Sequence, residues 1–375
     1  MLMTLRVVKV GTSLLRGFYG RDTSEIIEGY AAALSASFER GDKVVLVTSG
    51  AVGLGCSCLG IDSRPEAMVE LQAAAAVGQG QLMSLYETAM RRHRHTVAQI
   101  LLTRADLTNR LRYKNASNTI TQLLNWDVLP IINENDSISS SELRFGDNDT
   151  LSALVAAAIN ADDLILLTDV DHLYSTDPRT DKAAQPITDV RDSRDLDVFD
   201  SPICADGDRR KWGTGGMVTK LEAARIATAS GITVHLADGR NSAGLDALLR
   251  GTRGGTVFHP NPHPIGNRKS WLAYVLQPQG ILYIDKGACQ ALQERGASLL
   301  LVGIRDVYGN FEANQAVILE DPDGQEVARG LCSLASSTLR QALGSRSGVS
   351  RCSPIIIHRN ALVLTKSADV RLPNL

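Results

Sequence analysis

Apolar residues along the chain follow two patterns, which alternate through the first two thirds of the sequence. Short continuous apolar runs, typical of strands buried on both faces, predict strands at Leu5–Val10, Lys43–Thr48, Val97–Leu102, Val128–Asn133, Leu164–Thr168 and Gly231–Leu236. Apolar residues at helical spacing predict helices at Thr23–Arg40, with Thr23 as N-cap, and at Met68–Arg94, Asp149–Ala158 and Thr219–Ser230. This alternation predicts an α/β fold with a mainly parallel sheet that helices cover on both faces.

Small or polar residues follow four of the predicted strands. They are Gly11-Thr12-Ser13, Ser49-Gly50-Ala51, Asn133-Glu134-Asn135-Asp136 and Thr168-Asp169. Ligands of open parallel sheets bind outside the carboxyl ends of the strands, so we expect these segments to line one cleft. Segments rich in Asn and Asp also form ordinary turns, and for Asn133–Asp136 alone a turn is the simpler interpretation.

The composition changes near residue 251, where Gly and Pro become frequent and the helical spacing ends. Beyond that stretch, short strand patterns separated by turns predict a second, smaller domain rich in β-strands. We therefore divide the chain into a first domain at 1–255, a linker at 256–276, a β-rich domain at 277–360 and a C-terminal tail at 361–375.

The overall charge and the cysteines disfavour several classes of protein. The formal net charge is −2, so no general positive field favours nucleic acid or anionic lipid. No apolar stretch of about 18 residues predicts a membrane span, and we expect no signal peptide before the first strand. Six cysteines without a Cys-x-x-Cys pair indicate a reduced, cytoplasmic protein. A metal site at Cys56 and Cys58 is disfavoured, because no cluster of Cys or His accompanies them.

Two glycine-containing segments each combine hydroxyl side chains with one lysine: Val8–Ser13 and Gly213–Lys220. Glycines allow close approach of the backbone to a ligand, helix N-termini attract anions, and a lysine adds a positive charge. Neither segment matches the Gly-x-x-x-x-Gly-Lys-Ser/Thr pattern of a P-loop. We expect the two segments to hold a phosphate from two sides, although a solvated lysine is the alternative for each considered alone.

Seven motifs in this order resemble those of the amino-acid kinase family. They are Val7–Ser13, Val47–Ala51, Leu102–Asp106, Ile132–Asp136, Phe145–Asp149, Leu167–Asp169 and Gly213–Lys220. The C-terminal part is similar to a PUA domain. The resemblance implies a three-layer sandwich with a mainly parallel central sheet for the first, catalytic domain, and a small β-rich PUA-like fold for the second.

The resemblance implies ATP-dependent phosphorylation of the side-chain carboxylate of L-glutamate, which gives L-glutamyl 5-phosphate in the first step of proline biosynthesis. It also implies Mg²⁺ as the metal that accompanies ATP, and a homo-oligomer, either a dimer or a tetramer. Channelling of the product to glutamyl-phosphate reductase is a further expectation, and no membrane partner is expected. The acceptor carboxylate has a reference pKa of about 4.3 and is ionised at neutral pH, so the reaction requires no general base.

The resemblance also assigns roles to individual residues. For ATP it implies Lys9, Thr168, Asp169, Thr214, Gly215, Gly216, Met217, Val218, Thr219 and Lys220. For the substrate it implies Ser49, Asn133, Asp136 and Asn148, with Asp136 suited to the ammonium, and Asn148 and Ser49 able to donate to carboxylate oxygens. Lys9 and Lys220 neutralise the phosphates and Asp149 orients both lysines, whereas no protein ligand is assigned to a metal.

Several alternatives remain open at the level of the sequence. PUA domains elsewhere bind RNA, but from residue 276 onward ten Lys/Arg stand against nine Asp/Glu, so RNA binding is not favoured. Aspartate, N-acetylglutamate, carbamate and nucleotides are rival acceptors for the same fold. The polar stretch 171–210 is either a mobile loop beside the nucleotide or a surface insertion. Asp147 is suited to Mg²⁺, to the substrate amine or to capping the next helix.

Overall fold

The computed structural model describes residues 3–16, 22–103, 106–107, 110–138, 148–178, 181–191, 216–252, 254–262, 264, 278–344 and 354–365. The chain divides into two compact units, Met1–Pro264 and Ile265–Leu375. Among the described residues, no helix has both the length and the apolar composition needed to cross a bilayer.

One eight-stranded sheet forms the centre of the first unit, as far as the structure describes it, with the order β3-β4-β2-β1-β5-β9-β10-β8. Its strands are β1 (Leu5–Val10), β2 (Lys43–Val47), β3 (Val97–Leu102), β4 (Leu129–Glu134), β5 (Asp163–Thr168), β8 (Asp189–Val190), β9 (Thr233–Asp238) and β10 (Thr256–Phe258). β1 is central and pairs in parallel with β2 on one side and β5 on the other. β10 runs antiparallel to β9. The prediction of a mainly parallel sheet is therefore confirmed.

Helices cover both faces of this sheet. They are α1 (Thr12–Leu15), α2 (Thr23–Glu39), α3 (Ala51–Leu59), α4 (Met68–Arg92), α5 (Arg110–Asn125), α6 (Asn148–Ile159), α7 (Gly216–Ala229) and α8 (Ser242–Leu249). On one face, α2, α4 and α8 share a core with Val8 and Val10 of β1. On the other face lies α6, which is buried along its whole length and contacts β1, β5 and α7. Because side chains alternate between faces, Lys9 points to the face that α6 covers.

Helices α3 and α4 cross with almost no space between their backbones. A Cβ placed on Gly78 of α4 would lie 1.8 Å from the carbonyl oxygen of Ala51, in the first turn of α3. A Cβ on Gly55 of α3 would lie 1.8 Å from the carbonyl oxygen of Ala74. The two glycines therefore permit a close crossing that presses the middle of α4 against the segment that follows β2.

The second unit is rich in β-strands, as predicted. The strands of its described sheet are β11 (Gly280–Ile284), β13 (Ile304–Gly309), β14 (Ala316–Glu320), β15 (Glu326–Leu331) and β17 (Leu362–Leu364). Their order in the sheet is β13-β11-β14-β15-β17. A second pair joins β12 (Leu299–Leu300) to β16 (Ile355–Ile357), and the helices are α9 (Lys286–Arg295) and α10 (Ser336–Gly344). Leu282, Val317 and Leu339 are fully buried in a core separate from that of the first unit.

The limits of the predicted linker and tail differ from the structure. Thr256–Phe258, placed in the linker, forms β10, because Val257 and Phe258 are buried where this strand pairs with β9. Leu362–Leu364, placed in the tail, forms β17 and pairs with β15. Both strands have only three residues, and a Gly-Gly pair precedes β10. The sequence of each segment therefore resembles irregular chain.

Two helix starts also differ from the prediction. The N-cap of α2 is Asp22, whose carboxylate accepts a hydrogen bond from the N–H of Glu25, whereas the hydroxyl of Thr23 donates to the carbonyl of Leu15. Helix α7 begins at Gly216 rather than at Thr219, so Lys220 lies in its second turn. Within the polar stretch 171–210, β6 (Leu173–Tyr174) and β7 (Pro186–Ile187) form a hairpin, followed by β8, while residues 192–210 lie outside the described residues.

Candidate active site

The carboxyl ends of the central strands bring together residues from distant parts of the sequence. Lys9 lies near the end of β1, in register with Val47 of β2 and Leu166 of β5. The two strands that pair with β1 end close by: Thr48 and Ser49 follow β2, and Thr168 ends β5. Three of the polar segments predicted to line a common cleft therefore follow neighbouring strands, with Lys9 on the middle one.

Asp149 forms ion pairs with both lysines that the glycine-containing segments contribute. Its Oδ1 lies 2.5 Å from Lys9 Nζ, and its Oδ2 lies 3.1 Å from Lys220 Nζ. The hydroxyl of Thr219 donates to the same Oδ2 at 2.9 Å. Asp149 is 3% exposed, so both ion pairs are shielded from water. One carboxylate thus holds two ammonium groups from β1 and α7 within reach of a single point.

The two lysines determine the protonation state of Asp149. Burial alone would raise the pKa of this carboxyl, but the charges of Lys9 and Lys220 outweigh burial and hold the pKa below its usual value. Asp149 is therefore ionised at neutral pH. One carboxylate does not cancel two ammonium charges, so the centre keeps a net positive charge that suits a phosphate.

Helix α7 carries the second lysine and holds its ammonium group in place. Lys220 Nζ donates to the carbonyl oxygen of Gly216 at 3.0 Å, one turn earlier, as well as to Asp149. Gly216–Thr219, which the sequence assigned to ATP, form the first turn of α7. Gly213, Thr214 and Gly215 of the same motif, and Asp147 beside Asn148, lie outside the described residues.

A cluster of buried amide and hydroxyl groups lies on the other side of Lys9. Asn148 Nδ2 donates to Ser49 Oγ (2.8 Å), to the carbonyl oxygen of Thr48 (2.9 Å) and to Asn133 Oδ1 (3.1 Å). Ser49 precedes Gly50, whose φ of 106° requires a left-handed conformation at the start of α3. Three of the four residues assigned to the substrate therefore contact one another around Asn148.

Asp136 follows β4, whereas Thr168 and Asp169 lie at the end of β5, on the opposite side of β1 in the sheet. Burial raises the pKa of Asp136, and the nearby charge of Arg64 opposes the increase. Thr168 Oγ1 donates to Asp169 Oδ1 at 3.2 Å, and the carbonyl of Thr168 accepts from the N–H of Gly239 at 2.8 Å. Asp136 is the predicted partner of the ammonium, and Thr168 and Asp169 remain the predicted contacts of the nucleotide.

Three residues that stabilise this arrangement were not predicted from the sequence. Gln79 Oε1 accepts from Asn133 Nδ2 at 2.8 Å, and the hydroxyls of Tyr86 and Thr48 are 3.0 Å apart. The hydroxyl of Tyr30 donates to the carbonyl of Gly239 at 2.6 Å. All three residues lie within amphipathic helices, where an isolated polar group among buried positions was the only available signal.

Comparison with known proteins defines the class to which this fold and site belong. A model of the amino acid kinase family matches residues 4–238, and a model of the PUA domain matches residues 280–348. The chain belongs to the amino acid kinase family. The resemblance inferred from the seven motifs is therefore confirmed, as is the PUA domain.

Within that family, the similar curated proteins are named glutamate 5-kinase. The protein from Synechococcus sp. (strain CC9902) is 65% identical over 96% of this chain and 99% of its own length. The protein from Prochlorococcus marinus (strain MIT 9313) is 63% identical over the same shares. Among solved structures, carbamate kinase from Giardia lamblia bound to AMP-PNP matches with a TM-score of 0.50 and 19% identity, over 69% of this chain and 99% of that one, which shows the shared fold alone.

Proposed function

We propose that this chain transfers the terminal phosphoryl group of ATP to the side-chain carboxylate of L-glutamate, as its relatives named glutamate 5-kinase indicate. The product is L-glutamyl 5-phosphate, the first intermediate of proline biosynthesis. The ion pairs of Asp149 with Lys9 and Lys220 carry the proposal, because they hold one buried and one partly buried ammonium group on a single carboxylate. The carboxylate acceptor is already a nucleophile at neutral pH, so the site needs no general base.

Each part of the site has a separate task in this reaction. Lys9 and Lys220 stabilise the charge that the transferring phosphoryl group carries, and Asp149 keeps both ammonium groups aimed at it. Thr168, Asp169 and the start of α7 lie on the nucleotide side. Thr214 and Gly215, which lie outside the described residues, are assigned to ATP through their motif alone. Ser49, Asn133, Asp136 and Asn148 lie on the substrate side. With ATP on one side and glutamate on the other, the acceptor oxygen lies in line with the bond between the terminal phosphorus and ADP, which breaks.

Mg²⁺ accompanies ATP in this reaction and neutralises charge on the phosphate oxygens when it is bound. Among the described residues, no group of three or more His, Cys, Asp or Glu could hold a metal ion, and both oxygens of Asp149 already pair with lysines. These residues therefore do not form a dedicated metal site. We assign Mg²⁺ to the phosphates of the nucleotide and assign no step to a protein–metal bond.

The chemistry of the substrate side favours a free amino acid over N-acetylglutamate and carbamate. Asp136 is a half-buried carboxylate that follows β4, and it is suited to an ammonium group. An acylated amine, as in N-acetylglutamate, would not supply that cation, and carbamate has no ammonium group either. We further propose that the protein acts in the cytoplasm as a homo-oligomer. It would pass its product to glutamyl-phosphate reductase. For the PUA domain we expect no RNA binding, and retention of RNA at low salt would contradict this.

Replacing either lysine should abolish most of the activity. In Lys9→Ala and Lys220→Ala, we expect kcat to fall roughly 10²- to 10³-fold, because each removes a charge that stabilises the transferring group. ADP release coupled to L-glutamate and a hydroxamate assay of the product measure the effect. Lys114→Ala, in the exposed face of α5, is the control and should retain wild-type kcat. Full kcat in both site variants would refute the proposed mechanism.

Acidification should weaken the binding of glutamate through Asp136. Because burial raises the pKa of this carboxyl above its ordinary value of 3.8, Asp136 becomes neutral at a higher pH than an exposed aspartate. We expect KM for L-glutamate to rise as pH falls through this raised pKa and to be constant above it. In Asp136→Asn, KM should be high at every pH and should lack this dependence. Parallel pH profiles of KM in the two proteins would contradict the assignment of Asp136 to the ammonium.

A further inference from the structure

The amide cluster has a direction of hydrogen bonding that backbone groups fix. The N–H of Glu134 donates to Asn133 Oδ1 at 2.9 Å, so that atom is an oxygen and Nδ2 of the same side chain is the donor. Asn133 Nδ2 donates to Gln79 at 2.8 Å, so the acceptor on Gln79 is Oε1. The other polar atom of Gln79 is consequently Nε2, which can only donate.

The same reasoning fixes Asn148. Its Nδ2 donates to the backbone carbonyl of Thr48 at 2.9 Å, so the remaining polar atom is Oδ1, which can only accept. Among the described residues, Gln79 Nε2 and Asn148 Oδ1 have no hydrogen-bond partner, and they belong to buried residues that are 9% and 4% exposed. Buried polar groups are almost always paired. This network has one unused donor and one unused acceptor. It is therefore suited to a ligand that carries both a hydrogen-bond acceptor and a hydrogen-bond donor.

The order of strands places these two atoms at the end of the cleft opposite the nucleotide. β4, which carries Asn133, is separated from β1 by β2, whereas β5 and β9 lie on the other side of β1. Neighbouring strands are about 4.8 Å apart, so Asn133 lies roughly 10 Å across the sheet from Lys9. A glutamate whose side-chain carboxylate meets Lys9 must extend its α-carbon towards this end. The close crossing at Gly78 fixes Gln79 there, against the first turn of α3.

We propose that Gln79 Nε2 donates a hydrogen bond to the α-carboxylate of the substrate and that Asn148 Oδ1 accepts one from its α-ammonium. Gln79 thereby selects an amino acid with a free α-carboxylate. The inference rests on the proposed function, because it takes L-glutamate as the acceptor. It assigns to Gln79 a contact with substrate in addition to its support of Asn133.

A change of substrate selectivity tests this assignment. In Gln79→Glu, one oxygen still accepts from Asn133, but the second repels the α-carboxylate and can accept from an amide N–H. We expect KM for L-glutamate to rise roughly 10- to 100-fold, the effect of losing one hydrogen bond to a charged group. For L-glutamate α-amide, which keeps the reacting carboxylate, kcat/KM relative to L-glutamate should rise at least tenfold. KM for ATP should stay within twofold of the wild-type value.

Two further variants separate recognition from structural damage. Gln79→Met has neither donor nor charge, and it should reduce the preference for L-glutamate over the α-amide even if Gln79→Glu does not fold. Gln81→Glu adds the same charge at an exposed position of α4, and it should leave the preference unchanged. If both Gln79 variants lose activity equally with the two substrates, the residue is only structural and the proposal is overturned. Wild-type enzyme that does not phosphorylate L-glutamate would instead refute the proposed function itself.

Discussion

Asp149→Asn should abolish catalysis and also destabilise the protein. Removing this charge breaks the buried ion pair of Lys9 with Asp149 and releases Lys220 from its position. Breaking a buried ion pair on one side costs about 3–5 kcal/mol in the free energy of unfolding. Since both lysines lose their orientation together, kcat should fall on the order of 10³-fold or more. Steady-state kinetics and urea denaturation measure the two effects.

The pH dependence of the free energy of unfolding should differ between the wild type and Asp149→Asn. The pKa of Asp149 is lowered in the folded protein, so its ion pairs stabilise the wild type above the unfolded pKa. That stability is lost as pH falls through the folded pKa, and Asp149→Asn should lack this loss. Asp163→Asn is the matched control, because it breaks the ion pair of Arg6 at the opposite end of β1 and β5. It should lower stability and leave kcat unchanged, whereas a fall in kcat equal to that of Asp149→Asn would show that both variants act only through stability.

Gly78→Ala should be among the most damaging substitutions outside the site. The added methyl group would lie 1.8 Å from the carbonyl oxygen of Ala51 and 2.3 Å from the nitrogen of Gly55, so two backbones must separate. We expect a loss of more than about 3 kcal/mol in the free energy of unfolding. The separation would also move Gln79 away from Asn133, so any folded fraction should have a raised KM for L-glutamate. Thermal denaturation and glutamate titration measure these effects.

Gly80→Ala provides the control on the same helix. A Cβ at Gly80 would meet nothing within 4 Å, and alanine is the better helix former. This variant should be as stable as the wild type or more stable by about 0.5–1 kcal/mol, with unchanged kinetics. Equal destabilisation by both substitutions would show that helix flexibility, rather than the close crossing, explains the effect of Gly78→Ala.

The sequence allowed the central sheet to be predicted well, because its strands are buried on both faces and read as continuous apolar runs. β1 and β3 have the predicted bounds, and other central strands differ by one or two residues. Helix α3 was missed because it is short and rich in Gly, Cys and Ser, and α5 because its surface is mostly polar. The strand β10 has three residues, and only its pairing with β9 distinguishes it from a linker.

Within the candidate site, motif residues could be found in the sequence, but the contacts that support them could not. Lys9, Asp149 and Lys220 were grouped correctly, because their motifs flank a strand end and two helix starts. Gln79 lies in an alanine-rich helix far from any motif, and its role depends on a crossing of two backbones. A residue whose function arises from such packing carries no local signal in the chain.

The central position of β1 has a consequence for synthesis on the ribosome. β1 at residues 5–10 is made before its partner β5 at 163–168, so one edge of β1 remains unpaired until β5 has been made, and Lys220 follows still later. At roughly 5–20 residues per second, that edge stays open for about ten to thirty seconds. A nascent chain arrested before residue 216 lacks Lys220 and its ion pair with Asp149, so the proposed function predicts no phosphoryl transfer by such a chain. Assays of arrested chains of increasing length would show activity arising in one step rather than gradually.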